Sequence, residues 1–212
     1  MNAPSQLYLD RQTNHGGRKT TEKMDTVFFR LDDESLIRKT QEGSHEAFAA
    51  LVKRHSNRFY SVAYRFVFDK NDAEDIVQEA FLKVWDRPGL WNPGRHAKFT
   101  TWFYKVIINL CLDHNKKKKT IALPEDIKLA DKQPGQDLLL DAHQKQVILD
   151  GFLRKLPERQ LLALNLCFYE GLSNKEAAKI IGVKVKALQS LIMRAKTRLK
   201  EEVKRSLSGG SI

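Results

Sequence analysis

The sequence predicts an all-α protein of two small helical domains joined by a flexible linker, with a helix-turn-helix in the second domain. Apolar residues recur at three- and four-residue spacing from about residue 32 to 119 and again from about residue 137. No segment of useful length alternates as a strand would. Residues 120–136 contain Pro124, Pro134 and Gly135 without a sustained period, which is typical of a linker.

The same pattern sets the predicted boundaries. Residues 1–30 are polar and read as a flexible tail, with Met24 as an alternative start to Met1. The first domain is predicted at 31–119, the linker at 120–137, the second domain at 138–206 and a flexible end at 207–212.

Composition narrows the class of partner. The 212 residues carry a formal net charge of +11, with 37 basic and 26 acidic side chains. This favours nucleic acid as the partner, with an anionic membrane surface second. No apolar run approaches the ~18 residues of a membrane span, and no signal-peptide pattern precedes the first domain. We therefore expect a cytoplasmic protein that is not inserted in a membrane.

Residues for catalysis or metal binding are not grouped in the sequence. Six histidines are scattered, and Cys111 and Cys167 each sit alone in apolar patterns. Phosphate-binding and nucleophile-elbow motifs are absent from the sequence. We expect no metal, no cofactor and no enzyme activity; a nuclease with an unrecognised site is the remaining alternative.

In the first domain an acidic amphipathic helix stands out against the basic background. A helix at 44–67 and a turn at 68–71 precede the stretch DAEDIVQEAFLKVW, and Arg87-Pro88-Gly89 ends it. Its apolar residues share one helical face, and its acidic residues lie mainly on the other.

A helix rich in aromatic residues follows, from Phe99 to about Asn115, after a Pro/Gly-containing loop at 90–98. Trp102 and Tyr104 are two residues apart, so they cannot both point into the core with Phe103. Exposed aromatic rings beside cationic side chains bind unstacked bases, and each stacking contact contributes ~1–3 kcal/mol per base. A core position remains the alternative for either ring, and the basic run at 116–119 is alternatively a solvated start of the linker.

The segment from Gly171 to Arg205 predicts the helix-turn-helix. Ser173 and Glu176 form a capping box, and Gly182 lies where a tight turn is needed. A second helix places Leu188 and Ala195 inward. Its outward face combines cations for phosphates with Gln and Arg for base edges, as in helices that enter a major groove. A surface hairpin with a solvated basic face is the alternative.

Taken in order, these motifs resemble the extracytoplasmic-function (group IV) sigma factors of the sigma-70 family. The resemblance rests on DAEDIVQEAFLKVW, FTTWFYKVIINLCLDH, the basic run, LPERQLLALNLCFYEGLS and a helix-turn-helix ending in RAKTRL, and covers residues 34–204. One departure concerns KVKALQSLIMRAK, where the family often has an acidic residue near Gln189.

The resemblance implies an alternative sigma factor that binds core RNA polymerase and recognises and melts promoter DNA, under a cognate anti-sigma factor. It implies three sets of site residues. The polymerase-binding set is Asp72, Glu74, Asp75, Gln78, Glu79 and Lys83. The −10 set is Thr100, Thr101, Trp102, Tyr104, Lys105, Asn109, His114 and Lys116, with the loop at 90–98 capturing a flipped base. The −35 set is Ser173, Lys175, Lys184, Lys186, Ala187, Gln189, Ser190, Arg194 and Arg198.

A conventional helix-turn-helix regulator is the main alternative function. It would bind duplex DNA by itself, usually as a two-fold dimer, without acting as a polymerase subunit. The acidic face and the aromatic helix would then be unexplained.

Overall fold

The computed structural model describes residues 28, 30–92, 98–121 and 139–208. The predicted linker beyond Ile121, most of the predicted N-terminal tail and the last four residues therefore lie outside the described residues. Throughout the described ranges the regular structure is helical. The prediction of an all-α fold with two helical domains is confirmed.

Four helices form the N-terminal domain: α1 (Asp33–Gln41), α2 (His45–Val67), α3 (Lys70–Asp86) and α4 (Phe99–Ile121). A short 3-10 turn, Pro88–Leu90, follows α3. The first three helices begin at capping residues, Asp32, Ser44 and Asp69, whose side-chain oxygens each accept a hydrogen bond from a backbone N–H three residues on. Such caps satisfy N–H groups that have no partner within the helix.

Helix α2 lies at the centre of this domain and packs against α1, α3 and α4. Aromatic rings fill the space between the helices: Phe103 of α4 lies edge-on to Phe59 of α2 at 4.6 Å and close to Phe81 of α3 at 4.8 Å between centroids. Edge-to-face pairs of this kind add to the free energy gained from apolar burial. They fix α4 against α2 and α3.

The C-terminal domain contains α5 (Leu139–Arg154), α6 (Glu158–Leu164), a π-helical turn (Asn165–Tyr169), α7 (Asn174–Ile181) and α8 (Val185–Ser208). Both elements of the predicted capping box are present, since Ser173 Oγ accepts from Glu176 N–H and Glu176 accepts from Ser173 N–H. Gly182 ends α7 with φ 76°, a left-handed conformation that favours glycine. The helix-turn-helix prediction is confirmed.

Three predicted helix limits need correction. The basic run at 116–119 lies inside α4, which continues to Ile121; lysine is a good helix former and its charge is favourable near a helix C-terminus. Helix α3 begins at Lys70, because Asp69 caps it, so the predicted turn is only two residues long. Helix α8 continues to Ser208, two residues beyond the limit of 206 that was predicted for the second domain.

The two domains pack against each other, which the sequence did not predict. Helix α4 contacts α7, and α2 contacts α6. The Tyr64 hydroxyl donates to the buried Asp150 carboxylate at 3.1 Å, and the Arg154 guanidinium donates to the Phe68 carbonyl at 2.8 Å. These contacts place the first helix of the helix-turn-helix beside the aromatic helix α4.

Candidate nucleic-acid and protein interfaces

The acidic face of α3 is open to solvent along most of its length. Glu74, Asp75, Gln78, Glu79 and Lys83 are all exposed. Glu79 and Lys83 form an ion pair at 2.8 Å across one helical turn. The opposite face of α3 is buried against α2 and α4, which fixes the helix in position. Helix α3 therefore presents a mainly negative surface to solvent.

Asp72 differs from the other members of the polymerase-binding set. Its side chain is only 23% exposed, and its Oδ2 lies 3.0 Å from His114 Nε2 and 3.1 Å from Lys118 Nζ. Both partners belong to α4, so Asp72 joins the start of α3 to the end of α4. His114, a member of the −10 set, is half-buried at this junction, and its Nε2 makes no hydrogen bond with the described residues.

Leu82 is a surface residue of α3 that the sequence reasoning missed. It is 48% exposed and lies seven residues after Asp75, which places both side chains on the same helical face. The signal was available in this spacing, but a leucine in an amphipathic helix is first expected in the core. The acidic face therefore includes an apolar residue.

In α4 the two aromatic residues of the −10 set are placed differently. Trp102 is half-buried, with its ring 5.9 Å from that of Phe99. Tyr104 is 1% exposed and packs edge-on to Phe59 at 4.9 Å. The core alternative therefore holds for the Tyr104 ring, which packs on Phe59 of its own domain while its hydroxyl reaches Glu170 of the C-terminal domain.

The polar members of the −10 set become more exposed to solvent towards the end of α4. Thr100, Thr101 and Lys105 are half-buried, whereas Asn109 and Lys116 are exposed. Lys116 lies 3.6 Å from Asp113, both with well-exposed side chains, a pairing of little energetic weight.

Residues 93–97, which form most of the loop predicted to capture a flipped base, lie outside the described residues. The positions on either side are well anchored. Trp91 and Phe99 are both buried, and their rings meet edge-on at 5.9 Å. The two ends of the loop are therefore held at the start of α4.

The −35 set lies on the helix-turn-helix, from Ser173 at the start of α7 to Arg198 on α8. All of its members are exposed except Ser190, which is half-buried and donates its hydroxyl hydrogen to the Lys186 carbonyl at 3.1 Å. Ser173 serves as the N-cap of α7. Leu188 and Ala195, on the inner face of α8, are fully buried. The helix can thus present Gln189 and Arg194 outward on a fixed backbone.

A buried carboxylate, Glu170, lies between the domains. Its side chain is 5% exposed. Its oxygens accept hydrogen bonds from Arg58 Nε at 3.0 Å, Arg65 Nη2 at 2.8 Å and the Tyr104 hydroxyl at 2.7 Å. Arg65 Nε also donates to Asn165 Oδ1 at 3.1 Å. Sequence reasoning missed Glu170, because its donors are far from it along the chain.

The donors around Glu170 shift the pKa values of the cluster. Burial alone would raise the pKa of Glu170, but the hydrogen bonds from Tyr104, Arg65 and Arg58 outweigh it and hold that pKa below its ordinary value. Burial, followed by the bond to Glu170, raises the pKa of Tyr104. At neutral pH the cluster therefore holds a carboxylate, two guanidinium cations and a neutral phenol.

The described residues contain neither a metal-binding group of side chains nor a membrane-spanning helix. No group of three or more His, Cys, Asp or Glu side chains in that part of the chain is arranged to hold a metal ion. None of the helices described is both long and apolar enough to cross a membrane.

The chain matches two family models in the order of its domains. Residues 51–121 match Sigma-70 region 2, and residues 146–199 match Sigma-70, region 4. The first match includes α3 and α4, and the second includes the helix-turn-helix.

Three curated proteins illustrate the similarity. The chain is 32% identical to the ECF RNA polymerase sigma factor SigE of Mycolicibacterium smegmatis, over 71% of this chain and 59% of SigE. It is 29% identical to the RNA polymerase sigma-H factor of Pseudomonas aeruginosa, over 77% of this chain and 90% of that protein. It is 27% identical to the ECF RNA polymerase sigma factor SigW of Bacillus subtilis, over 79% of this chain and 95% of SigW.

Two solved structures share the fold. CnrH, in complex with the cytosolic domain of CnrY, superposes with a TM-score of 0.62 at 24% identity, covering 81% of this chain and 97% of CnrH. The sigma factor RpoE of Bartonella quintana, in complex with the anti-sigma factor NepR, gives a TM-score of 0.57 at 22% identity, with 74% and 96% covered.

Proposed function

We propose that the chain, whose two domains match regions 2 and 4 of the sigma-70 family, is an alternative sigma factor of the extracytoplasmic-function group, group IV. In this role it binds core RNA polymerase in the cytoplasm and directs transcription from its own promoters. It carries out no chemistry itself, since the polymerase supplies the catalytic site.

The observation that carries this function is that the two matched regions hold an exposed acidic face on α3 together with exposed cations on α4 and α8. A regulator that only coats duplex DNA has no use for the exposed acidic face of α3. A basic, helical surface on the polymerase is its natural partner, by charge complementarity. Glu74, Asp75, Gln78, Glu79 and Lys83 form this docking face, with Leu82 as an apolar contact; Asp72 supports it from within the domain.

Helix α4 and the loop before it hold the melted −10 element. Trp102 supplies a ring for stacking an unpaired base, and Lys105 and Lys116 supply charge for the strand backbone. Thr100, Thr101 and Asn109 line the same helix. Tyr104 joins this surface once the C-terminal domain has moved away.

Helix α8 enters the major groove of the −35 element. Gln189 and Arg194 face base edges, and Lys184, Lys186 and Arg198 face phosphates. Ala187 and Ser190 border the groove, while Ser173 and Lys175 bring the start of α7 towards the DNA backbone. Holding both elements fixes the polymerase on the promoter.

An anti-sigma factor is a further proposed partner. The matched sigma factor of Bartonella quintana is bound to an anti-sigma factor, and a comparable inhibitor would cover the docking face and the DNA-binding surfaces of this chain.

Binding to the polymerase tests the docking face. Replacing both Asp75 and Glu79 with lysine should abolish comigration with core polymerase in gel filtration, because like charges then face each other. A matched double variant, Glu34→Lys with Glu201→Lys, makes the same charge change at exposed positions elsewhere and should still comigrate. Equal comigration of all three proteins would contradict the assignment.

A further inference from the structure

The N-terminal domain carries an anion site that is filled by a residue of the other domain. Arg58 and Arg65 lie two helical turns apart on α2, and Tyr104 lies beside them on α4. The Arg58 guanidinium carbon is 5.5 Å from the centroid of the Tyr104 ring. All three side chains donate to the Glu170 carboxylate, which comes from the segment just before the helix-turn-helix.

The two arginines have no carboxylate partner within their own domain, as far as the structure describes it. Their ion pairs are with Glu170, at 3.0 Å for Arg58 and 2.8 Å for Arg65. When the domains separate, Glu170 leaves with the C-terminal domain. Two guanidinium groups and a phenol hydroxyl then remain on one face of the N-terminal domain.

Such a set of groups suits a phosphate. Arginine presents N–H groups in a planar fork that matches the oxygens of carboxylate and phosphate alike. The buried carboxylate thus occupies the position that a phosphate oxygen pair would take. Tyr104 belongs to α4, the helix proposed to hold the melted strand, so a strand held along α4 passes the helix that carries one of the three donors.

We propose that Arg58, Arg65 and Tyr104 bind a backbone phosphate of single-stranded promoter DNA, and that Glu170 fills this site while the two domains are packed together. This inference rests on the proposed function, since it assumes that α4 holds the melted strand. The three residues then have two uses: they close the chain on itself through Glu170, and they hold DNA when it opens.

Because the three residues bind either Glu170 or DNA, substitutions on the two sides of this bridge should change the affinity for single-stranded DNA in opposite directions. Glu170→Gln removes the competing charge but leaves the phosphate site intact, so affinity for single-stranded DNA rises. Arg58→Gln and Arg65→Gln break the same bridge but damage the site, so affinity falls. Tyr104→Phe keeps the ring and loses one hydrogen-bond donor, so the affinity of this variant falls less than that of the arginine variants.

The experiment measures binding of a labelled 20-nucleotide deoxyoligonucleotide of mixed sequence to the full chain by fluorescence anisotropy, without polymerase. Glu201→Gln and Lys39→Gln are the matched controls, because they make the same charge changes at exposed positions. Circular dichroism identifies variants that fail to fold, and small-angle X-ray scattering reports whether the domains separate.

We expect Glu170→Gln to raise the radius of gyration. It should also tighten oligonucleotide binding about fivefold relative to Glu201→Gln, because coupling between two binding sites changes affinity by at least about this factor. The slope of log affinity against log salt should steepen by about 0.7, for one added phosphate contact. Arg58→Gln should also raise the radius of gyration, yet bind more weakly than Lys39→Gln.

Other outcomes overturn the proposal. Equal tightening by Glu170→Gln and both arginine variants would mean that the bridge only holds the domains together. Inorganic phosphate that competed as strongly as the oligonucleotide, at matched ionic strength, would show a site for free phosphate instead. Failure of the chain to bind polymerase would contradict the proposed function. The opposite changes in DNA affinity of the Glu170 and arginine variants could still be measured, so the proposed function and the phosphate site are tested separately.

Discussion

The His114 imidazole lies 3.0 Å from the Asp72 carboxylate, and this pair joins the end of α4 to the start of α3. Lys118 approaches the same carboxylate at 3.1 Å. The contact divides the acidic residues of α3 into two kinds: Asp72 holds the two helices together, whereas Asp75 and Glu79 are left open to a partner.

This division predicts different effects for two similar substitutions. Asp72→Asn should lower the free energy of unfolding by about 1 kcal/mol, because it weakens the contacts with α4 and the favourable charge at the start of α3. Asp75→Asn should change it by less than about 0.5 kcal/mol, as an exposed position does. Denaturant unfolding of the two variants measures the difference, and equal losses would show that Asp72 has no special structural role.

Trp102 is predicted to act in DNA melting rather than in polymerase binding. Trp102→Ala should reduce open-complex formation by about tenfold or more, from the loss of a stacking contact worth ~1–3 kcal/mol. Its binding to core polymerase should stay unchanged. Permanganate reactivity of the melted strand measures the first property and comigration the second; a parallel loss of both would contradict the role.

In α8, base-reading and phosphate-binding residues should differ in how they depend on sequence. Lys186→Ala should weaken binding to all duplexes alike and reduce the salt slope by about 1. Gln189→Ala should instead lower affinity for the preferred −35 duplex by ~1–3 kcal/mol and relax the choice of base at one position. Duplex competition assays with polymerase present separate the two, and uniform weakening by both variants would remove the base-reading role from Gln189.

The turn of the helix-turn-helix gives a prediction for stability. Gly182 has φ 76°, and no atom lies within 4 Å of a Cβ built there. Gly182→Ala should therefore destabilise the C-terminal domain by ~1–2 kcal/mol through backbone strain alone. Gly151, inside helix α5, also has space for a Cβ, so Gly151→Ala should stabilise by ~0.5–1 kcal/mol. Thermal unfolding of both variants checks the opposite signs.

Acid should loosen the packing of the two domains. The pKa of Glu170 lies below its ordinary value of 4.5, so the bridge contributes fully at higher pH and is lost as pH falls through the depressed value. The radius of gyration should rise below about pH 4.5. Glu170→Gln controls for other carboxylates, and an identical acid response in that variant would contradict the prediction.

The features that the sequence predicted correctly are local. Ser173 and Glu176 are three residues apart, and their reciprocal hydrogen bonds need only the first turn of α7. Gly182 follows from a similarly local rule, since helices commonly end at a left-handed residue and glycine is the usual one. The inner face of α8, with Leu188 and Ala195 fully buried, follows from helical periodicity.

The features that it missed depend on distant partners. The hydroxyl of the buried Tyr104 donates to Glu170, 66 residues further along the chain. Asp72 was grouped with the exposed carboxylates of α3 because its partner Lys118 lies 46 residues away. Helical spacing assigns a residue to a face of its own helix but cannot say which other element covers that face.

The most direct test of the account is transcription in vitro with core RNA polymerase from the organism that encodes the chain, using fragments of its genome as templates. We expect specific transcripts only when both the polymerase and this protein are present, with start sites that share a −10 and a −35 element. Tight, specific duplex binding by the protein alone, with no transcripts from the mixture, would contradict the account and identify a conventional regulator.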